Sequence, residues 1–174
     1  MRGGREAGGA GAGRVRPLPD PPRRVLLALD GTPVPDAVLD KTVELATPEH
    51  ASITVVSVAK IYGTSLGLPH PGLQPNRYEV AQHRAVAEAA AEALRAHGFT
   101  VRVEISKSRN HAKMVARWAT AKRFHAVVVA DPERPAWRRM LEGDIANEIE
   151  RRCHVPVHAV PVPSSERPRT TKLG

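Results

Sequence analysis

The sequence predicts an α/β protein with a single doubly wound, five-stranded parallel sheet in strand order 3-2-1-4-5 and helices on both faces. Short apolar runs alternate with helical patterns through residues 23–163. Strands that alternate with helices run parallel, and the right-handed crossovers place helices on both faces. Three of the runs are apolar enough for strands that are buried on both faces.

Five runs predict the strands. Residues 24–30 (RVLLALD), 52–60 (SITVVSVAK) and 125–131 (HAVVVAD) are apolar or β-branched enough to be buried on both faces. Residues 100–106 (TVRVEIS) alternate apolar and polar side chains, so the third strand is expected at an edge. Residues 155–162 (VPVHAVPV) predict the fifth strand, and its prolines suit the opposite edge.

Four helical patterns connect these strands, within residues 31–46, 77–98, 110–124 and 142–152. Pro35 suits the first turn of the first helix, because its fixed φ matches helical geometry. The side chains expected to face the sheet are Val38, Leu39, Leu45, Ala46, Val80, Ala87, Ala90, Leu94, Met114, Val115 and Trp118.

The two ends of the chain differ in composition from the middle. Residues 1–22 are rich in Gly, Pro and Arg and predict a disordered leader, because they can bury little apolar surface. Residues 164–174 predict a disordered tail, which leaves residues 23–163 as the one folded domain. No apolar run is long enough to span a membrane, and a lone Cys153 suits a reducing compartment. We therefore expect a cytoplasmic protein.

The net charge of +8 lies mostly in the tails. Residues 1–24 carry +4 and residues 164–174 carry +2, so the remainder carries only +2. Basic tails can attach to RNA, ribosomes or other polyanions without reading a sequence. A genome composition that favours arginine explains the same excess, since Arg outnumbers Lys by twenty to six.

Two predicted strands run directly into an aspartate, at Asp30 and at Asp131. In doubly wound sheets, ligands bind beyond the carboxyl ends of the strands at the point where the strand order reverses. These two strand ends are therefore the candidate site.

The order and spacing of several segments resemble the universal stress protein family, which has an adenine-nucleotide α-hydrolase-like fold. The first strand with its Asp-Gly-Thr ending (VLLALDGT) matches, and so do the long loop and helix after the second strand. Residues 130–144 (ADPERPAWRRMLEGD) fill the frame of the family's phosphate loop, Gly-x2-Gly-x9-Gly-Ser/Thr. Residues 153–161 (CHVPVHAVP) match the closing strand, through which family members commonly form homodimers.

The resemblance implies a site for ATP or another adenine nucleotide. Asp30 and Gly31 would form one wall of the crevice near the adenosine, and Val58 would meet the adenine with its backbone. In the loop frame, Ala130 and Glu133 replace two glycines, Gly143 is kept, and Asp144 replaces the hydroxyl residue.

These replacements change the chemistry expected at the phosphates. Glycines let backbone N–H groups approach an anion, whereas Glu133 adds a negative charge. Asp144 can cap the following helix and take the place of the anion at its N-terminus. A carboxylate ~4 Å from a phosphate costs ~1 kcal/mol in water and ~4 kcal/mol at an effective dielectric constant near 20. The crevice is therefore expected to be degenerate.

The same loop carries three arginines, Arg134, Arg138 and Arg139. They could form a lid that offsets the carboxylates and holds phosphates, or they could pair with neighbouring acids and solvent. Lys107, Arg109 and Lys113 follow the third strand, and with Arg139 they could form a basic rim for an anionic ligand. A solvated helix face explains the same charges.

No pattern indicates an independent catalytic centre or a metal site. His154 and His158 lie ~13 Å apart at strand rise, which is too far for one metal ion. Cys153 is expected to pack rather than to react. Three functions follow: a non-enzymatic stress-response module with a degenerate crevice and an unknown protein partner, an ATP-binding sensor or slow ATPase, or a polyanion-binding protein.

Overall fold

The computed structural model describes residues 23–46, 51–61, 74–133 and 144–163. Its strands are β1 (Arg24–Leu29), β2 (Ser52–Lys60), β3 (Thr100–Ser108), β4 (Ala126–Pro132) and β5 (Val157–Val162). Its helices within the described ranges are α1 (Asp36–Leu45), α2 (Arg77–Ala96), α3 (His111–Ala121) and α4 (Ile145–Arg152). The predicted leader and tail lie outside the described residues.

The five strands form one parallel sheet in the order β3-β2-β1-β4-β5, which confirms the predicted fold. Strand β1 is central and pairs with β2 on one side and β4 on the other. Strand β3 lies at an edge, as its alternating sequence predicts. No helix in these ranges is both long enough and apolar enough to cross a membrane.

Alternate side chains of β1 enter two different cores, because successive residues of a strand point to opposite faces. Val25, Leu27 and Leu29 join the core built with α1 and α2. Leu26 and Ala28 join the core built with α3 and α4. The sheet is therefore covered on both faces, with two helices on each.

Several boundaries differ from the sequence prediction. Strand β3 extends to Ser108 because β2 is long enough to pair with it as far as Lys60. Strand β4 continues one residue past its predicted end at Asp131, because Pro132 pairs with Val162 of β5. Pro35 is the N-cap of α1, outside the first turn.

Helix α3 also packs differently from the predicted pattern. Its fully buried residues include three alanines, which bring the helix close to the sheet: Ala112, Val115, Ala116 and Ala119. Met114 and Trp118 are only half-buried, at the margin of the core. The indole of Trp118 lies 3.7 Å beneath the ammonium of Lys122, which explains its place at the surface.

Candidate functional site

Two adjoining clefts open at the carboxyl ends of the central strands. The large cleft has a volume of about 410 Å³ and lies beyond β1, β2 and β3, with α2 as its wall. The small cleft has a volume of about 60 Å³ and lies between the segment after β1, the end of β4 and the start of α4. Four residues line both clefts: Asp30, Thr32, His111 and Ile145.

Asp30 leaves β1 in a tight turn that fixes its carboxylate. Its Oδ1 atom accepts hydrogen bonds from the backbone N–H of Thr32 at 3.0 Å and from the Thr32 hydroxyl at 2.6 Å. An aspartate that bonds two residues ahead in this way stabilises a turn. The carboxylate is therefore held at the junction of the two clefts.

Gly31 is required by its backbone and by its neighbour. Its φ is +91°, in the left-handed region that glycine tolerates best. A Cβ atom at this position would lie 2.5 Å from Cε1 of His83, so the imidazole of α2 rests directly on the glycine. The same ring is anchored on β2, where its Nδ1 lies 2.7 Å from the Ser57 hydroxyl.

Ser57 and His83 have the spacing of a nucleophile and a base. However, Ser57 has no exposed surface and lines neither cleft. A substrate in either cleft cannot reach its hydroxyl. The hydrogen bond therefore serves to dock α2 against the sheet and to hold the wall of the large cleft.

Burial favours the neutral form of both histidines of the crevice. Burial lowers the pKa of His83, against the opposing fields of Asp30 and Glu79. Burial also lowers the pKa of His111, where Asp30 opposes the shift and His83 adds to it. The interior of the crevice is therefore polar but carries no positive charge from these rings.

Carboxylates surround the small cleft. Asp30, Asp131 and Asp144 all line it. The side chain of Asp144 accepts a hydrogen bond from the backbone N–H of Asn147 at 3.0 Å and caps α4, as the sequence predicts. The N-terminus of α4 thus has an anion supplied by the chain itself.

Comparison with known proteins fits this architecture. The family model described as the universal stress protein family matches residues 22–161. The chain belongs to the universal stress protein family. No curated protein sequence matches the chain.

Solved structures share the universal stress protein fold at low identity. The universal stress protein from Archaeoglobus fulgidus matches at 14% identity with a TM-score of 0.60, covering 80% of this chain and 94% of its own. The same organism's universal stress protein in complex with dAMP matches at 15% identity with a TM-score of 0.58, covering 79% and 97%. A family protein from Arabidopsis thaliana with AMP bound matches at 12% identity with a TM-score of 0.58, covering 86% and 97%. At these identities the likeness shows the fold alone.

The structure brings together several of the residues assigned from the family pattern. Asp30, Gly31 and Val58 line the large cleft, where Arg109 of the predicted basic rim joins them. Ala130 and Asp144 line the small cleft. Four assigned residues lie outside the described residues: Arg134, Arg138, Arg139 and Gly143.

Two other members of the predicted rim, Lys107 and Lys113, do not line the crevice. Lys107 is exposed near the end of β3 and lines neither cleft. Lys113 lies on the outer side of α3, in a shallow groove of about 460 Å³ between α3 and the end of α4. Arg117, Arg152 and His154 line the same groove.

Sequence reasoning missed the two crevice histidines. His111 is the first residue after the β3–α3 turn, so its place at the carboxyl edge of the sheet was a usable signal. The turn is fixed by Asn110, which caps α3 through Lys113 N–H at 2.7 Å and bonds with Ser108. No local pattern indicates that His83 would rest on Gly31, because that contact depends on how α2 docks.

The sequence predicts that Cys153 packs rather than reacts and that the chain holds no metal site. Cys153 is half-buried beside the α3–α4 core, and burial raises the pKa of its thiol, which disfavours the reactive thiolate. Among the described residues, no group of three or more His, Cys, Asp or Glu side chains is arranged to hold a metal ion.

The contact between Gly31 and His83 predicts unequal effects of two glycine substitutions. Gly31 and Gly98 have similar positive φ angles, +91° and +87°, but a Cβ atom at Gly98 would meet nothing within 4 Å. We expect Gly98→Ala to destabilise the fold by about 1–2 kcal/mol, the cost of the left-handed backbone. Gly31→Ala should cost a further ~1–3 kcal/mol, because the methyl group displaces His83.

Urea denaturation of both variants measures the two free energies of unfolding. Relative to His83→Ala alone, the double variant Gly31→Ala/His83→Ala should lose only the backbone cost, because the ring that the methyl group would meet is absent. Equal destabilisation by the two single substitutions would show that His83 does not constrain this position.

Proposed function

We propose that the chain is a non-enzymatic, cytoplasmic regulatory module whose crevice binds the nucleoside part of an adenine nucleotide and disfavours a polyphosphate. The observation that carries the proposal is the cap of α4, where the Asp144 carboxylate occupies the helix N-terminus. Two further carboxylates, Asp30 and Asp131, line the same cleft. A triphosphate placed there would meet like charges and a helix terminus that is already bonded.

The large cleft supports the nucleoside half of the proposal. Its volume of about 410 Å³ falls in the range of small-molecule sites. Buried apolar residues of β2, Val58 and Ala59, form part of its lining. The structural neighbours with dAMP and AMP bound hold nucleoside monophosphates in the same fold. They support a monophosphate as the ligand class.

The non-enzymatic half of the proposal follows from the side chains available at the clefts. Ser57 is inaccessible, and Cys153 lines neither cleft and has a raised pKa. In the described part of the crevice, neither Ser57 nor Cys153 is therefore available as a nucleophile, which supports a module that reports ligand occupancy to a protein partner.

Replacement of the capping carboxylate tests the proposal. We expect wild type to bind AMP more tightly than ATP, and Asp144→Ser to raise the affinity for ATP by about tenfold or more, since it removes a charge near the phosphates. Serine is also a good N-cap, so α4 should keep its stability. Isothermal titration with AMP and ATP measures both affinities.

Asp40→Ser is the matched control, because Asp40 is an exposed acid on α1 that lines neither cleft. Its ATP affinity should equal that of wild type. Wild type that binds ATP more tightly than AMP, or that releases ADP on incubation with ATP, would contradict the proposal and favour the ATP-binding sensor or slow ATPase.

A second candidate function, polyanion binding, is favoured by the groove between α3 and α4. Among the described residues, the groove is lined by no carboxylate and by four basic side chains. The basic side chains are those of Lys113, Arg117, Arg152 and His154. Of these, Arg152 pairs with Glu148 at 3.0 Å. Small residues form the floor, so an RNA phosphate backbone could approach the cations closely.

The charge-reversal variant Arg117→Glu tests this second function. We expect it to weaken binding of a labelled single-stranded RNA at least tenfold, and wild-type binding should fall with salt by roughly 0.7 logarithmic units per phosphate contact. Arg84→Glu, an exposed arginine on the α1–α2 face, is the control. Fluorescence anisotropy measures the RNA affinity of each variant and its salt dependence. An RNA affinity that does not change with salt, or an equal loss of affinity in the two variants, would rule out the groove as the RNA site.

We also propose that two copies associate through β5. This strand is the edge of the sheet opposite β3, so no described strand pairs with its outer side, and the side chains of Ala159 and Pro161 are exposed. Edge strands are templates for pairing with a second chain.

Light scattering tests the dimer. We expect wild type to have twice the chain mass of 18.8 kDa. Ala159→Glu should shift it to the monomer, because a two-fold axis brings the two new charges together. Ala89→Glu, at an exposed position of α2, should remain dimeric. A monomeric wild type would overturn this assembly.

A further inference from the structure

His111 carries a polar atom that the fold leaves without a partner. The residue begins α3 and lines both clefts. Its Nε2 atom is shielded from solvent and makes no hydrogen bond to any residue that the structure describes. An unsatisfied buried polar group costs a folded protein roughly 1–3 kcal/mol, so such atoms in native structures require an explanation.

Packing does not explain the choice of histidine. The neighbouring inward positions of α3 are apolar, at Ala112 and Val115, and the facing residues of α4 are Ala146 and Ile149. An aliphatic side chain at position 111 would complete the same core without an orphaned nitrogen. The imidazole therefore lowers the free energy of unfolding of the unliganded protein.

The charges that face His111 determine what it can bind. Asp30 lies on the β1 side and His83 on the α2 side, and burial keeps the imidazole neutral. Arg109, Glu79 and Glu148 also line the large cleft. A neutral ring nitrogen makes one hydrogen bond, as donor or as acceptor, so it can pair with a hydroxyl in either tautomer but forms no ion pair with a phosphate.

The position of His111 indicates which part of a nucleotide it would meet. The large cleft has the size for a base, and the small cleft leads to the N-terminus of α4. With the base in the large cleft and the single phosphate of a monophosphate toward the small cleft, the sugar would cross the junction, where Asp30 and His111 both lie. A carboxylate that accepts and a neutral imidazole beside it are the partners that a vicinal diol requires.

We propose that Nε2 of His111 binds one hydroxyl of the ribose, while the Asp30 carboxylate accepts a hydrogen bond from the neighbouring hydroxyl. This inference rests on the proposed nucleoside site and assigns its sugar specificity. Ligand binding supplies the partner that the unliganded fold lacks, and the crevice therefore selects ribonucleotides.

Two variants of His111 test the inference. His111→Leu removes the nitrogen, and His111→Gln places an amide nitrogen near the position of Nε2. Isothermal titration of the full chain with AMP and with 2′,3′-dideoxyadenosine monophosphate measures how much the ribose hydroxyls contribute to the affinity of each variant. We expect His111→Leu to weaken AMP about tenfold and leave the dideoxy analogue unchanged, the fold-change of one lost hydrogen bond. His111→Gln should recover most of the AMP affinity.

Thermal unfolding without ligand gives an independent readout. His111→Leu should have a Tm equal to or above that of wild type, because it removes the unsatisfied atom. A clear fall in Tm would overturn the claim that the Nε2 atom destabilises the unliganded protein.

The binding outcomes separate this inference from the proposed function. If wild type binds AMP but the variants lose AMP and the dideoxy analogue equally, His111 has only a structural role and the inference fails while the nucleoside site stands. If wild type binds neither nucleotide, both fail together.

Discussion

The position of β1 at the centre of the sheet is the constraint on which the rest of the structure depends. Its buried side chains serve both cores, and its two neighbours, β2 and β4, are reached by connections on opposite faces of the sheet. Since the chain departs in opposite directions from this strand, no helix can cover its carboxyl end. The crevice is thus a consequence of topology, and Asp30 and Gly31 lie in it because they follow β1 directly.

The contact of His83 with Gly31 converts this topological opening into a cleft with a defined wall. Helix α2 begins at a capping box formed by Asn76 and Glu79, which fixes where the helix starts. One turn further on, the imidazole meets the glycine and the buried Ser57 hydroxyl. The wall therefore depends on three elements at once, and a change in any of them alters the shape of the large cleft.

The sheet was predictable because its signals are local. Residues 25–29 are apolar at successive positions, and residues 53–59 are apolar except for Thr54 and Ser57. The alternation of strand and helix patterns predicts parallel strands. Positions at the clefts were predictable where they follow a strand, as at Asp30, or cap a helix, as at Asp144, and the family pattern added Val58 and Ala130. His83 and the α3–α4 groove depend on how helices far apart in the sequence dock, and side-chain periodicity along one helix does not encode that docking. The half-buried position of Trp118 has the same origin, since neighbouring alanines, not the largest residue, set the distance to the sheet.

The polar groups at the starts of α4 and α3 differ in whether the chain itself satisfies their hydrogen bonds. At α4 the chain supplies its own anion, so the helix terminus is satisfied without a ligand and nothing is gained by adding a phosphate. At the start of α3, no described residue bonds the Nε2 atom of His111, so the unliganded state bears a cost that the proposed ribose contact would remove. Under the proposed function, binding free energy would therefore come from the uncharged part of the ligand, and the charged part would contribute least. Such a crevice would respond to the presence of a nucleoside rather than to the number of its phosphates.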